Sequence, residues 1–267
     1  HSGIAAGMSG SPIYIDGKLV GALAYGWLFS KDAIGGVTPI EYMLKELRRP
    51  LKPPSQAGPG PTSAALPVES QGRYVAALPD RRTLRALVED RATGSADGDR
   101  ALSRLLPPRL QALAAGESRL VRAALPLSVA GLSERAIEGL RESLGPYGLI
   151  PLQASGGGAS NRRGPDRFEP GGVLAVELIR GDLSAAGTGT VTHVEGERVA
   201  AFGHQLLNAG ELFLPIGTAE ILHILSSQMS SFKMSARLQE KGALLLDRQS
   251  CIVGDTSQRA PIVPMQV

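Results

Sequence analysis

The sequence has almost none of the residues that cross-link small proteins or bind metal ions in them. One cysteine, Cys251, occurs in 267 residues, so no internal disulfide can form, and no cysteine–histidine spacing typical of a zinc site is present. No run of about 18 apolar residues occurs that could span a membrane as a helix. We therefore expect no disulfide framework, no metal and no transmembrane segment.

Net charge and aromatic residues are also scarce. The chain carries 28 Lys and Arg against 25 Asp and Glu, and only 4% of its residues are aromatic. Nucleic-acid-binding surfaces concentrate positive charge and often place aromatic rings beside it, whereas the arginines here are scattered between residues 48 and 167. We expect no nucleic-acid partner. The 33 glycines and 19 prolines instead indicate many turns joining short strands.

Composition divides the chain into five parts. Residues 1–50 are predicted to be strands, with Asp16-Gly17 as the turn of a hairpin, because both residues tolerate positive φ. Residues 51–79 form a Pro/Gly-rich linker, residues 80–155 an α/β insert whose second helix begins at Ser133, and residues 156–170 a flexible linker. Residues 171–267 are again predicted to be strands. We expect the insert to be separable between its two linkers.

The most informative motif is GMSGSP at residues 7–12, which is followed by the predicted hairpin. A serine hydroxyl becomes a nucleophile when a base takes its proton, and the attacked carbonyl oxygen needs backbone N–H donors. A glycine two positions before the serine allows its own N–H and that of the serine to converge. This pattern favours Ser9 as nucleophile, with Gly7 and Ser9 forming the oxyanion hole. The alternative is an ordinary Gly/Ser turn before a strand.

The second motif is AAFGH at residues 200–204, at the end of a predicted apolar strand. A general base belongs at such a strand end, where its ring can reach a cleft. His204 fits this position best among the four histidines. We expect His193 to be a surface residue in a hairpin and His223, among apolar neighbours, to be a core histidine. The prediction is that His204 and Ser9 lie within about 4 Å of each other.

Both motifs resemble the SpoIVB peptidase family, a branch of the chymotrypsin-like clan. The run SGIAAGMSGSPIYIDGKLVGALAYGW is similar to its serine region, and GTGTVTHVEGERVAAFGH at residues 187–204 to its histidine region. The resemblance implies a mainly β, chymotrypsin-like double half-barrel with the α/β insert between a serine-bearing half and a histidine-bearing half. It implies a serine endopeptidase that needs no cofactor, and it favours an extracytoplasmic or secreted bacterial protein.

The sequence departs from this family in two respects. The serine half precedes the histidine half here, an order that a two-barrel fold accommodates because the site lies between the barrels. The family's acid would lie upstream of His1, so we expect the chain to be a fragment, truncated at the start of its serine half and weakly active or inactive. Asp182, Asp247 and Asp255 are the local candidates for that acid, although each also fits a residue at a strand end or turn.

The family resemblance also implies where a substrate side chain would enter. In the clan, the strand after the serine hairpin lines the pocket for the residue before the cut, which points to Ala24, Tyr25 and Gly26. Small residues there would admit an apolar side chain, and the alternative is plain core packing. Sequence reasoning thus leads to a serine endopeptidase acting on a peptide or protein, regulatory or self-cleaving. The rival is a catalytically silent scaffold that binds a protein partner or an extended peptide.

Overall fold

The computed structural model describes residues 4–27, 34–50, 120–145, 148–154, 164–225 and 231–264. The chain divides into two units, 1–49 with 116–267, and 50–115, and the second lies outside the described residues apart from its first residue. In the described residues, the strands are β1 (Pro12–Ile15), β2 (Lys18–Trp27), β3 (Gly35–Pro39), β4 (Leu120–Arg122), β5 (Leu125–Ala130), β6 (Leu149–Gln153), β7 (Val173–Ile179), β8 (Ser184–Glu195), β9 (Arg198–Ala201), β10 (Gly210–Leu225), β11 (Phe232–Arg248) and β12 (Cys251–Asp255), and the helices are α1 (Ile40–Leu47) and α2 (Glu134–Leu144).

Six strands close into a barrel. The ring runs β8, β7, β10, β11, β12 and β9, and the pairing of β9 with β8 completes it. The β8–β9 hairpin turns at Gly196, whose φ of 61° suits the tight connection between Glu195 and Arg198. The barrel interior is filled by buried apolar side chains, among them Leu174, Val191, Phe202, Ile216, Leu244 and Ile252.

A four-stranded sheet carries the serine motif. Strand β2 is central and pairs antiparallel with β1, β3 and β4. Asp16 and Gly17 have φ of 49° and 74° and join β1 to β2. The predicted hairpin is therefore present, and its turn chemistry is the one expected for a two-residue connection. The mainly β, chymotrypsin-like architecture is confirmed.

The two helices cover different parts of the sheets. Helix α1 follows β3 and buries Met43 and Leu47. Helix α2 connects the parallel strands β5 and β6, and the Ser133 hydroxyl accepts a hydrogen bond from the Ala136 N–H at its start, as predicted. Its buried Ile137 packs in a small cluster with residues of β5. No helix in the described part of the chain is long and apolar enough to cross a membrane.

Helix α1 links the serine-bearing region to the barrel. Cys251 and Ile252, consecutive residues of β12, are both buried because Cys251 faces α1 and Ile252 faces the barrel interior. The Cys251 thiol lies 3.8 Å from the Met43 carbonyl oxygen. The Arg198 guanidinium donates to the Leu47 carbonyl at 2.7 Å. The end of the serine-bearing region is thus held against the outer face of the barrel.

The boundaries of the predicted insert need correction. Strand β5 pairs with β8 of the barrel, and β4 pairs with β2. The strand–helix–strand pattern was predicted correctly. Strands β4, β5 and β6 nevertheless belong to the main body, so the prediction of a separable insert over residues 80–155 is wrong for residues 120–153. The linker 51–79, the first part of the insert and most of the linker 156–170 lie outside the described residues.

Candidate active site

Glycines shape the turn that carries Ser9, which we call the serine turn (residues 7–11). Gly7 and Gly10 have φ of 91° and 93°, values that side chains rarely adopt. The Gly10 N–H donates to the Leu23 carbonyl at 2.7 Å, and the Leu23 N–H donates to the Ser11 carbonyl at 2.9 Å. These bonds tie the turn to β2, and Ser9 itself is fully buried.

Strand β8 of the barrel holds the serine turn from the other side. The Thr190 N–H donates to the Ser9 carbonyl at 2.8 Å, and the Thr190 hydroxyl donates to the Gly7 carbonyl at 3.0 Å. The Thr192 hydroxyl donates to the Gly10 carbonyl at 2.7 Å. A Cβ on Gly10 would collide with the Thr190 carbonyl oxygen. The approach of the turn to the barrel therefore requires glycine at this position.

The turn that carries His204, which we call the histidine turn (residues 202–206), leaves β9 through two left-handed residues. Phe202 has φ of 71° and Gly203 has φ of 68°. A left-handed phenylalanine costs about 1–3 kcal/mol and persists only where its surroundings impose it. Here the buried ring packs in the barrel core, and the Thr38 hydroxyl donates to the Gly203 carbonyl at 2.6 Å.

Asp247, a fully buried residue of β11, fixes the residues that follow His204. Its carboxylate accepts hydrogen bonds from the N–H groups of Leu206 and Leu207, both at 2.7 Å, and of Ala209 at 3.1 Å. Three N–H donors compensate the buried charge and hold the loop in one conformation. Sequence analysis named Asp247 as a candidate for the acid. In the structure its carboxylate binds backbone N–H groups of the residues that follow His204.

Ser9 and His204 meet across 195 positions of the chain. The Ser9 Oγ lies 2.8 Å from His204 Nε2, and His204 Nδ1 lies 2.7 Å from the Gln205 carbonyl oxygen. A carbonyl oxygen only accepts, so Nδ1 carries the hydrogen and the neutral ring presents the Nε2 lone pair to the serine hydroxyl. The predicted contact is confirmed. The geometry allows proton transfer from Ser9 to His204.

The oxyanion hole predicted at Gly7 and Ser9 is not open on the Gly7 side. The Gly7 N–H donates to the Ala124 carbonyl at 3.2 Å. The Ser9 hydroxyl also lies 3.4 Å from the Ala123 carbonyl oxygen. A donor that already has a carbonyl partner must release it before it can stabilise an oxyanion.

The three residues predicted to line a substrate pocket pair through their backbone with β4 and the residue that follows it. The Ala123 N–H donates to the Ala24 carbonyl at 2.8 Å, while Tyr25 and Gly26 pair with β4. The buried Ala24 side chain packs against the histidine turn, since a Cβ on Gly203 would lie 3.2 Å from the Ala24 Cβ. The predicted roles of Ala24, Tyr25 and Gly26 in a substrate pocket stay predictions.

The other titratable residues singled out from the sequence lie elsewhere. Asp182 is exposed, and the Asp255 carboxylate accepts from the Ser257 N–H at 2.8 Å. His193 is half-buried in β8. His223 is exposed near the end of β10, so the prediction of a core histidine is wrong, because β10 runs beyond the buried part of the barrel.

Lys233 is a neighbour of the site that sequence reasoning missed. Its side chain would lie 3.3 Å from a Cβ placed on Gly7, and the Lys233 N–H donates to the Ala6 carbonyl at 3.0 Å. Burial lowers the pKa of Lys233 below its ordinary value. Within the described residues, no group of three or more His, Cys, Asp or Glu side chains could hold a metal ion.

Comparisons with protein-family models, with curated proteins and with solved structures find no match to this chain.

Proposed function

We propose that this chain is a serine peptidase that hydrolyses peptide bonds through an acyl-enzyme, as its resemblance to the SpoIVB peptidase family implies. The observation that carries the proposal is the 2.8 Å contact between Ser9 Oγ and His204 Nε2. A fold alone does not define an activity, whereas a hydroxyl paired with an oriented imidazole supports nucleophilic catalysis.

The reaction follows from the positions of these atoms. His204 Nε2 takes the Ser9 proton while Oγ attacks the carbonyl carbon of the substrate, and the resulting oxyanion needs N–H donors of the serine turn. The imidazolium then gives its proton to the leaving amine as the C–N bond breaks. Water, activated by the same ring, hydrolyses the ester. The Gln205 carbonyl accepts the Nδ1–H throughout and keeps Nε2 facing Ser9.

Reaction with a fluorophosphonate probe tests the proposal and separates it from a silent binding scaffold. We expect covalent labelling, located at Ser9 by peptide mass spectrometry. Ser9→Ala should abolish the labelling, and His204→Ala should slow it by about 10³-fold or more, because the hydroxyl then lacks its base. On a peptide substrate each single variant should lose about as much activity as the double variant, since the two residues act as a unit.

Ser11→Ala is the matched control. Ser11 lies in the same turn, and its hydroxyl has no hydrogen bond among the described residues, so this variant should label like the parent chain. Equal labelling of the parent chain and Ser9→Ala would contradict the peptidase proposal and favour the alternative of a silent binding scaffold.

A further inference from the structure

A short segment of the chain's own backbone runs through the site. We call it the groove segment (residues 120–124); it comprises β4 and the two residues that follow. It lies antiparallel to β2, with Tyr25 opposite Arg122 and Gly26 opposite Val121. The Ala123 N–H donates to the Ala24 carbonyl at 2.8 Å and continues the same ladder toward Ser9. An extended peptide that adds to a sheet edge makes contacts of this kind.

The end of the groove segment engages the groups that would perform catalysis. The Ser9 hydroxyl lies 3.4 Å from the Ala123 carbonyl oxygen, and the Gly7 N–H donates to the Ala124 carbonyl. The Arg122 guanidinium donates to the Gln205 carbonyl at 3.3 Å, the same oxygen that accepts from His204 Nδ1. The segment therefore meets the nucleophile and an oxyanion donor through its backbone, and it meets the group that orients the base through the Arg122 side chain.

We propose that the groove segment is a built-in occupant of the peptide-binding groove, and that an extended peptide substrate binds by replacing it on β2. The inference rests on the proposed function of Ser9. It identifies residues 24–26 of β2 as the strand that recognises substrate backbone, and it identifies Ala123 as standing where the residue before the cut would lie.

The register explains why the segment occupies the site without being a substrate. Acyl transfer requires the oxyanion donors to converge on the carbonyl whose carbon is attacked. Here the carbonyl nearest the Ser9 hydroxyl belongs to Ala123, whereas Gly7 donates to the next carbonyl, that of Ala124. The donor and the hydroxyl are thus engaged by different peptide groups, and the Ala123–Ala124 bond stays intact.

The segment has the properties of a removable strand. β4 has three residues, and β2 is its sole ladder partner in the part of the chain that the structure describes. Val121 and Arg122 are half-buried. Ala123, by contrast, is buried beside a small cleft that His204 and Leu206 help to line. The substrate class that fits is an extended peptide with a small residue at the Ala123 position.

The test measures peptide binding in the full chain with Ser9→Ala, so that no cleavage intervenes. The probe is a fluorescein-labelled peptide with the sequence LVRAAL of residues 120–125, and the readout is fluorescence anisotropy. Val121→Pro removes an N–H from β4 and disfavours its pairing with β2. We expect this change to tighten peptide binding at least about tenfold, because the tethered competitor has a high effective concentration. Val263→Pro, at an exposed position outside the strands, is the matched control and should change nothing.

Val121→Gly is the second variant, for use if Val121→Pro does not fold. It keeps the N–H but lowers the strand preference, and we expect tightening of about threefold. If a folded Val121 variant binds the peptide no more tightly than the parent chain, the segment is a permanent strand of the sheet and the proposal is overturned. A chain with Ser9 intact that is cut after Ala123, seen by mass spectrometry, also overturns it.

Fluorophosphonate labelling of the same variants with Ser9 intact keeps this inference separate from the proposed function. Val121→Pro should label several times faster than the parent chain, because the segment no longer engages Ser9 and Gly7. A variant that binds the peptide more tightly yet shows no labelling supports the groove assignment and contradicts the proposed peptidase activity. Faster labelling without tighter peptide binding contradicts the groove assignment and supports the proposed peptidase activity.

Discussion

The serine turn and the histidine turn reach the same site by different physical means. The serine turn places glycine at both of its left-handed positions, Gly7 and Gly10, so its shape costs little once the chain is folded. The histidine turn places Phe202 in a left-handed conformation, which its surroundings must impose. The first turn is shaped mainly by its own sequence, and the second mainly by residues distant in the chain.

The contacts that hold the two turns are reciprocal. Thr190 and Thr192 of the barrel bind the serine turn, and Thr38 of the serine-bearing sheet binds the carbonyl of Gly203 in the histidine turn. Each half of the molecule therefore positions the functional group of the other. The 2.8 Å contact between Ser9 and His204 depends on both halves being folded together.

The largest effect on the difference between the two turns is expected when Gly10 of the serine turn receives a side chain. Gly10→Ala should lower the free energy of unfolding by at least about 4 kcal/mol, because the new Cβ would overlap the Thr190 carbonyl at a φ of 93°. Gly17→Ala is the matched control: its φ is 74°, but a Cβ there meets nothing within 4 Å, so about 1 kcal/mol is expected. Urea unfolding measures both, and equal losses would contradict the close packing of Gly10.

The histidine turn should be the more sensitive to its distant support. Asp247→Asn keeps the shape of the side chain but removes the charge that three N–H groups share, and we expect a loss of about 3 kcal/mol. Labelling of Ser9 should slow as well, because the segment after His204 loosens. Asp255→Asn is the control, since Asp255 binds a local turn residue, and it should leave the labelling rate unchanged. An unchanged labelling rate in Asp247→Asn would show that this carboxylate does not affect the reactivity of Ser9.

A smaller effect distinguishes two buried threonines. Thr192→Val leaves the Gly10 carbonyl without its 2.7 Å partner and should cost about 1–2 kcal/mol. The buried Thr218 hydroxyl has no hydrogen-bond partner within the described residues, so Thr218→Val should be neutral or stabilising. Thermal unfolding of the two variants compares them directly. Equal losses in Thr218→Val and Thr192→Val would mean that the hydrogen bond to the Gly10 carbonyl does not account for the cost of Thr192→Val.

The effect that is smallest at neutral pH concerns the joint between α1 and the barrel. Burial raises the pKa of the Cys251 thiol to about 12, so the folded protein holds this proton more tightly than the unfolded chain does. Stability should be unaffected below pH 9 and should fall between about pH 9 and pH 12, as the unfolded thiol ionises first. Cys251→Ala should flatten this part of the profile. Reaction with iodoacetamide at pH 8 should occur only on unfolding, and rapid reaction of the folded chain would show that α1 separates from β12.

Local signals in the sequence predicted the elements that depend on local chemistry. Asp16-Gly17 predicted a hairpin because the turn needs two left-handed residues, and Ser133 predicted a helix start because its hydroxyl satisfies a free N–H. The contact between Ser9 and His204 was predicted from two motifs and a resemblance.

Features that depend on distant partners were beyond sequence reasoning. The partners of Asp247 are backbone N–H groups about 40 residues away, which no spacing in the sequence reveals. The pairing of Arg122 with Tyr25 joins residues on either side of a long intervening segment. His223 has the apolar neighbours of a core residue, yet it lies where β10 extends past the barrel, so local hydrophobicity misplaced it.

The order of the two turns along the chain has a consequence for synthesis. Ser9 leaves the ribosome 195 residues before His204, and the threonines that hold its turn come nearly as late, at positions 190 and 192. Domains fold as they emerge, and contacts of large sequence separation form last. The nascent chain therefore carries an unactivated serine while the 195 residues up to His204 are synthesised. Any hydrolytic capacity arises only after these residues have emerged and the barrel has closed.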